Sequence, residues 1–268
     1  MADIEIAVRD GVQTIRLTRV DKKNAMTGEM YDAAREALLA AEHNDDIAVH
    51  VFLGAGGVFC AGNDMNDFMR RASLLKQQPA ARMSAPSSDF IRVLPTVTKP
   101  MIAAVDGLAV GIGVTLLLHC DLVLASTAAT FRAPFVNLGI IQEAGSSVIG
   151  PHRLGYNNAF ELLVLGALWD ATRAREAGLV NWVIQAGELE ARAMVVAHDL
   201  VNKPRMALMA ARRMLRGSHE AIKNAIDQET EIYTKLIGSP EAREAFASFV
   251  EKRKPDFAAA RAATKKSS

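Results

Sequence analysis

Two short stretches of small residues each follow a predicted buried strand and precede a predicted helix. They are residues 59–63, with the sequence FCAGN, and residues 107–113, with the sequence GLAVGIG. Small residues let a ligand approach the backbone, and the first N–H groups of a helix have no partner within it and attract an anionic oxygen. If N–H groups from both stretches converge on one oxygen, they form an oxyanion hole. Taken singly, each stretch is better explained as an ordinary strand-to-helix turn whose glycines permit tight packing.

One carboxylate further along the chain is a candidate acid or base. Glu143 lies within residues 136–149, most of which are apolar. Partial desolvation in such surroundings favours the use of a carboxylate in proton transfer. The alternative is structural, because a glutamate in the first turn of a helix complements the positive end of the helix dipole.

Two other patterns give weaker indications of chemistry. Residues 54–59 follow a predicted strand as a dinucleotide-binding turn does, but Phe59 replaces the third glycine and no acidic residue ends a second strand about 20 positions later. His119, Cys120 and Asp121 are consecutive at a helix-to-strand turn and cannot easily converge on one metal ion. We therefore predict neither a dinucleotide site nor a metal site.

The composition predicts a globular protein without a strong global electric field. Half of the 268 residues are apolar, and 31 lysine and arginine residues nearly balance 30 aspartate and glutamate residues. This balance gives no general attraction to nucleic acid or to an anionic membrane. The longest apolar stretch, residues 108–118, is shorter than the roughly 20 residues that cross a bilayer. We expect a soluble cytoplasmic protein that binds neither nucleic acid nor membrane.

The periodicity of apolar residues predicts an α/β fold. Residues 4–8 and 12–17 alternate as in a β-hairpin, and a helical period begins after Thr27, the predicted N-cap. The remaining predicted elements are strands at 49–53, 101–105, 121–125 and 179–184, helices at 64–75 and 111–119, and a polar flap at 77–88.

Helical periodicity dominates the end of the chain. It runs from residue 189 to residue 250, with breaks near Pro204, Gly217 and Gly238. We therefore divide the chain into an α/β core, residues 1–200, and a helical C-terminal region, residues 201–268, that makes subunit contacts.

These motifs together resemble the crotonase family, the enoyl-CoA hydratase/isomerase superfamily of acyl-coenzyme A enzymes. The resemblance spans nearly the whole chain in the expected order. The matching segments are residues 22–26, 59–64, 99–100, 106–113, 120–121, 131–139, 174–180 and 246–255.

The resemblance implies a fold, an assembly and a binding site. It implies a spiral of β-β-α units followed by a helical C-terminal region, assembled as a homotrimer or a dimer of trimers. The oxyanion hole would consist of the N–H groups of Asn63 and Ile112. Many members have glycine in place of Ile112, so we expect this side chain to narrow or redirect the acyl channel. Coenzyme A would be part of the substrate, with no further cofactor, and would lie along Ala25, Ala61, Asn63 and the basic residues Lys22 and Lys23.

The residues that differ from the family pattern bear on the reaction. Family members that hydrate a double bond typically use two glutamates. By the resemblance, the corresponding positions in this chain hold Thr115 and Phe135. Glu143 instead matches the catalytic acid of members similar to the Δ3-Δ2-enoyl-CoA isomerases. The resemblance thus implies that Glu143 moves a proton from C2 to C4 of a 3-enoyl-CoA. Alternatives are hydration through other residues, dehalogenation, thioester hydrolysis, or acyl-CoA binding without turnover.

Overall fold

The computed structural model describes residues 2–67, 69–70 and 85–265, with the side chains of 263–265 excepted. Strands and helices alternate through the first two thirds of this part of the chain. Its strands are β1 (Ile4–Arg9), β2 (Val12–Leu17), β3 (Val49–Gly54), β4 (Met101–Val105), β5 (Leu108–Val110), β6 (Leu122–Ser126), β7 (Thr130–Arg132), β8 (Trp169–Asp170) and β9 (Trp182–Ile184).

The strands form a larger and a smaller sheet. The larger has the order β1-β2-β3-β4-β6-β9, in which β1 is antiparallel to β2 and all other neighbours are parallel. The smaller has the order β5-β7-β8, with β5 parallel to β7. The predicted α/β class and N-terminal hairpin are confirmed, whereas the smaller sheet was not predicted and β9 is shorter than predicted.

Helices cover the sheets and form the end of the chain. They are α1 (Gly28–Glu42), α2 (Pro86–Val93), α3 (Ile112–Thr115), α4 (Ser146–Leu154), α5 (Tyr156–Leu163), α6 (Ala171–Glu176), α7 (Leu189–Val201), α8 (Arg205–Arg216), α9 (Glu220–Leu236), α10 (Pro240–Val250) and α11 (Phe257–Lys265). Thr27 caps α1 through its side chain, as predicted. None of these helices is long and apolar enough to cross a membrane.

Two sequence predictions fall partly outside the described residues. The predicted helix 64–75 is helical at 65–67 and 69–70, and the rest of it lies outside them. Most of the predicted flap, residues 77–84, also lies outside. Its last three residues belong to α2 instead, which begins at Pro86, because proline is well tolerated in the first turn of a helix.

Both faces of the central strands β3 and β4 are buried, as is usual for parallel sheets, whereas the edge strand β1 is largely exposed. Successive side chains of β3 point to opposite faces. Val51 packs with Ala193 and Ala197 of α7 on one face, whereas Phe52 joins the larger core on the other. The C-terminal helices contribute to that larger core through Ile226, Ile237, Ala242 and Phe246. The sheet thereby gives a rigid base to the loops that leave the ends of β3 and β4.

Candidate active site

The two glycine-containing stretches lie side by side. The Cys60 N–H donates to the Leu108 carbonyl at 3.0 Å, and the Val110 N–H donates to the Cys60 carbonyl at 2.8 Å. The stretches stay in contact beyond this pairing, since a Cβ added to Gly111 would lie 3.9 Å from the Cα of Gly62. The residues that follow, at 63 and 112, are therefore neighbours although they are 49 positions apart in the sequence.

The N–H group of Asn63 is left open by the pairing around it. Met26 donates to the Gly62 carbonyl at 2.8 Å and accepts from the Asp64 N–H at 2.9 Å, so it binds the residues on either side of Asn63. Ile112 is the first residue of α3, where an N–H has no partner within the helix. Neither N–H donates a hydrogen bond within the described part of the chain, so both are available to a ligand oxygen.

Two glycines are required for this arrangement. Gly111 has φ +56° and ψ −117°, a conformation that side chains disfavour. A Cβ on Gly113 would lie 2.9 Å from both the Cβ and the carbonyl oxygen of Cys60. These glycines therefore allow α3 to begin directly against the neighbouring turn.

The Asn63 side chain is hydrogen-bonded to a buried tyrosine of α1. The Tyr31 hydroxyl donates to the Asn63 Oδ1. Tyr31 is 2% exposed, and its ring centroid lies 5.5 Å from that of Phe90. Burial, and next the charge of Glu143, raise the pKa of Tyr31 well above its usual value, so the hydroxyl stays protonated and remains a donor.

Glu143 belongs to the same site. It is half-buried, and its charge adds to the effect of burial in raising the pKa of both Tyr31 and the Cys60 thiol, the latter to about 12. Tyr31 binds Asn63, and Cys60 belongs to the same turn as Asn63. Glu143 therefore lies close enough for its charge to act on two groups that adjoin Asn63.

Glu143 does not cap the following helix. Helix α4 begins at Ser146, so Glu143 precedes its first turn. The carboxylate that serves this helix end is Glu229 of α9, which accepts hydrogen bonds from the Gly145 N–H at 2.7 Å and the Ser147 N–H at 2.8 Å. Glu143 is therefore not the first-turn residue that the structural alternative assumed, and Glu229 supplies a carboxylate at this helix end.

A buried histidine holds the other side of the Glu143 segment. His119 ends the helical stretch that begins with α3, and its Nε2 lies 2.7 Å from the Ala144 carbonyl oxygen. Burial lowers the pKa of His119 to about 3, so the ring is neutral and donates its Nε2–H to that acceptor. The helical stretch 112–119 thus begins with the Ile112 N–H and ends with His119, whose side chain binds the backbone next to Glu143.

The two residues at the positions of the hydratase glutamates lie in the core. Thr115 is 0% exposed and Phe135 is 5% exposed. Neither supplies a carboxylate, and their burial leaves no room for a charged group without a partner.

The side chain of Ile112 lies in the core too. It is 0% exposed and lines a small internal cavity together with Met26, Phe59 and Leu116. The expectation that this side chain narrows or redirects an acyl channel stays a prediction. The helix turns the side chain inward while its N–H remains at the helix end.

The remaining predicted residues lie along one edge of the site. Ala61 donates its N–H to the Lys23 carbonyl at 3.0 Å. Lys22 and Lys23 are exposed, whereas Ala25 is half-buried. The two lysines therefore present free positive charge beside the turn that carries Asn63, as a phosphate-bearing ligand would require.

A second cavity adjoins the site at His119, which lines it. It has a volume of about 610 Å³ and lies between α4 and α8. Its mainly apolar walls include Val148 and Leu208, and the Arg212–Asp121 ion pair, 2.8 Å between Nε and Oδ2, lies at its edge. No site residue predicted from the sequence lines it.

Three contributions to the site were not predicted. Tyr31 and Glu229 carried no local signal, and His119 was considered only as a metal ligand. Each acts on a backbone or side-chain group at least 25 positions away in the sequence, and no sequence periodicity reports such a contact.

Comparisons with known proteins agree with the arrangement. Residues 7–260 match the family model described as enoyl-CoA hydratase/isomerase. Enoyl-CoA delta isomerase 2 of Rattus norvegicus is 33% identical over 254 residues, which cover 94% of this chain and 64% of the relative. The 4-chlorobenzoyl coenzyme A dehalogenase-1 of Arthrobacter sp is 31% identical over 250 residues, covering 93% and 91%. A crystal structure of an enoyl-CoA hydratase/isomerase from Pseudoalteromonas atlantica T6c has a TM-score of 0.88 at 31% identity and covers 95% of this chain and 99% of its own.

Proposed function

Because the chain belongs to the enoyl-CoA hydratase/isomerase family, we propose that it converts a 3-enoyl-CoA into a 2-enoyl-CoA. Membership makes it an acyl-CoA enzyme of hydratase or isomerase type. The choice of isomerisation depends on one observation: the charge of Glu143 acts on Tyr31 and on Cys60, the two residues that adjoin the open N–H group of Asn63.

The proposed mechanism is a proton shuttle through a thioester enolate. The Glu143 carboxylate accepts a proton from C2 of the substrate. The electron pair of that C–H bond moves through C1 to the thioester oxygen, which receives hydrogen bonds from Asn63 and Ile112 N–H. The carboxylic acid then returns the proton to C4, the C3–C4 double bond moves to C2–C3, and the C1 carbonyl reforms. A preorganised pair of donors is well suited to the charge that develops on the oxygen.

The residues at positions 115 and 135 argue against two-glutamate hydration. Hydration requires an oriented, activated water, and a threonine and a phenylalanine buried in the core provide no base for it. The similarity to a relative named as an enoyl-CoA delta isomerase supports isomerisation.

We further propose that coenzyme A is held as part of the substrate and that no other cofactor is needed. Lys22 and Lys23 would meet its phosphates, and the backbone of Ala25, Ala61 and Asn63 would lie along the rest of it. A homotrimer or a dimer of trimers is also proposed. The support for an assembly is the apolar surface of α8, where Met206, Met214 and Leu215 are 89%, 78% and 86% exposed, because large exposed apolar residues in one helix are typical of an interface.

Replacing Glu143 by glutamine tests the proposed reaction. The variant keeps the size of the side chain and removes the base, so the rate from 3-hexenoyl-CoA to 2-hexenoyl-CoA should fall by about 10²- to 10⁴-fold. The exposed Glu176 at the end of α6 provides a matched Glu176→Gln control, which should retain the parent rate.

The products must be identified for 2-hexenoyl-CoA and 3-hexenoyl-CoA side by side. If a folded Glu143→Gln variant isomerises at the parent rate, Glu143 is not the base. If the parent protein turns 2-hexenoyl-CoA mainly into the 3-hydroxy thioester, the enzyme is a hydratase and the proposal is wrong.

A further inference from the structure

The buried carboxylate of Glu229 lies directly behind the Glu143 segment. It is contributed by α9 and is 4% exposed. Its Oε2 accepts from the Gly145 N–H and its Oε1 accepts from the Ser147 N–H, at 2.7 and 2.8 Å. Burying a carboxylate is costly unless hydrogen bonds compensate it, and burial raises the pKa of Glu229 despite these bonds. Both of its oxygens thus bind the backbone of residues 145–147, and the Ser147 side chain also hydrogen-bonds the carboxylate.

That turn has an unusual conformation. Ala144 has φ +64° and Gly145 has φ +68°, so two successive residues lie in the left-handed region. An alanine rarely adopts this conformation and persists in it only where the surroundings fix it. Glu229 holds the turn from the α9 side, while His119 binds the Ala144 carbonyl from the α3 side. Glu143 immediately precedes this turn in the chain, so its direction depends on the turn.

We propose that Glu229 is a positioning residue that holds the Glu143 carboxylate in reach of C2 and C4 of the substrate. This inference rests on the proposed isomerase function. Glu229 does not touch the substrate. It acts through the backbone, because its two hydrogen bonds select the left-handed turn over the more relaxed conformations in which the Glu143 side chain would leave the neighbourhood of Tyr31 and Cys60.

A merely structural role predicts a different result. A glutamate that only caps α4 would change the thermal stability when it is lost and would leave kcat unchanged in the folded enzyme. A positioning role predicts a loss in kcat with little change in KM, because the thioester and coenzyme A contacts at Asn63, Ile112 and the lysines remain in place.

The primary variant is Glu229→Gln. The amide oxygen replaces one acceptor, but the amide nitrogen is a donor and faces a backbone N–H, so one of the two bonds is lost. We expect kcat to fall about 10- to 100-fold, as for a misplacement of about 1 Å, with KM within about 3-fold of the parent value. Glu231 lies on the same helix and pairs with Lys235 in solvent. Glu231→Gln is therefore the matched control, and it should leave both constants unchanged.

The double variant Glu143→Gln/Glu229→Gln separates positioning from general damage. Once the Glu143 carboxylate is absent there is nothing left to position, so the double variant should be no slower than Glu143→Gln alone. The positioning role is overturned if Glu229→Gln keeps the parent kcat. It is also overturned if the double variant is slower than Glu143→Gln by the same factor by which Glu229→Gln slows the parent enzyme.

The two proposals fail in distinguishable ways. A parent-like rate in Glu143→Gln overturns the isomerase mechanism itself, whereas a loss in Glu143→Gln without a loss in Glu229→Gln overturns only the positioning role. Should Glu229→Gln fail to fold, Glu229→Asp keeps both oxygens on a shorter side chain and takes its place. A folded Glu229→Asp enzyme that binds hexanoyl-CoA with the parent affinity should have reduced kcat, and parent kcat there also overturns the proposal.

Discussion

Replacing Tyr31 by phenylalanine removes a single hydroxyl group beneath the predicted oxyanion hole. The ring is 2% exposed and packs against Phe90, so the substitution leaves the packing in place. The Asn63 Oδ1 loses its donor. A side-chain hydrogen bond contributes about 0.5–1.5 kcal/mol net, and a fully buried orphaned acceptor costs more. Asn63 is half-buried, so water can replace the hydroxyl, and we expect the free energy of unfolding to fall by about 1 kcal/mol.

The same substitution should slow the reaction. Removing a whole oxyanion donor costs about 10²- to 10³-fold in kcat. Tyr31→Phe leaves the Asn63 N–H in the protein and only releases the side chain that fixes its direction. We therefore expect a smaller loss in kcat, about 10-fold, as for a modest misplacement of a catalytic group.

Urea unfolding and the isomerisation rate measure the two effects. Tyr156 provides the control, because it is 69% exposed. Tyr156→Phe should match the parent in both measurements. If Tyr31→Phe also matches the parent in stability and kcat, the hydrogen bond to Asn63 supports neither the fold nor the hole, and the reasoning is refuted.

Two predictions concern stability alone. Burial by itself raises the pKa of Asp64, but hydrogen bonds from Arg19 and from the Asp67 N–H outweigh it and hold the pKa below its usual value. This contribution is therefore fully present above about pH 4, near the unfolded pKa, and is lost as the pH falls further. Asp64→Asn should lower the free energy of unfolding at pH 7 and less so at pH 3, and an equal loss at both pH values would contradict this. Thr115 is buried and its Oγ1 has no partner within the described part of the chain. Thr115→Val should therefore leave the melting temperature unchanged or raise it, with a gain of up to about 1 kcal/mol in the free energy of unfolding. A clear decrease in the melting temperature would show that the hydroxyl is needed.

The sequence predicted elements whose signals are local. The hairpin was recognised from alternation around Asp10 and Gly11, both of which have positive φ as a tight hairpin turn requires. Helix α1 was recognised from Thr27 and a regular apolar period. The helix breaks were confirmed at Pro204, Gly217 and Gly238, because proline and glycine end helices for reasons that act within a few residues.

The smaller sheet escaped prediction for a physical reason. Strands β5, β7 and β8 contain three, three and two residues. Such short segments have no measurable alternation, and their pairing depends on contacts that the rest of the fold brings together. β5 was assigned to a glycine turn on this account, although its pairing with Cys60 is what aligns the two halves of the site.

The sequence predicted the main-chain groups of the candidate site but not the side chains that hold the site in place. Asn63 and Ile112 were placed by glycine patterns and family resemblance, and the structure brings them together. The direction of the Ile112 side chain was not predicted, because it depends on how α3 is rotated against the core. The roles of Tyr31, His119 and Glu229 depend on tertiary contacts, so they required the structure.

The open N–H groups of Asn63 and Ile112 have a consequence for how this protein tolerates change over evolution. A main-chain donor survives replacement of its own side chain by anything except proline, so the proposed oxyanion hole would keep both donors through most substitutions at positions 63 and 112. The glycines that shape the turn have no such freedom, because a Cβ at Gly113 would lie 2.9 Å from Cys60. A lineage can thus exchange one reaction for another by relocating a side-chain acid or base, while it inherits the same means of stabilising a negatively charged oxygen.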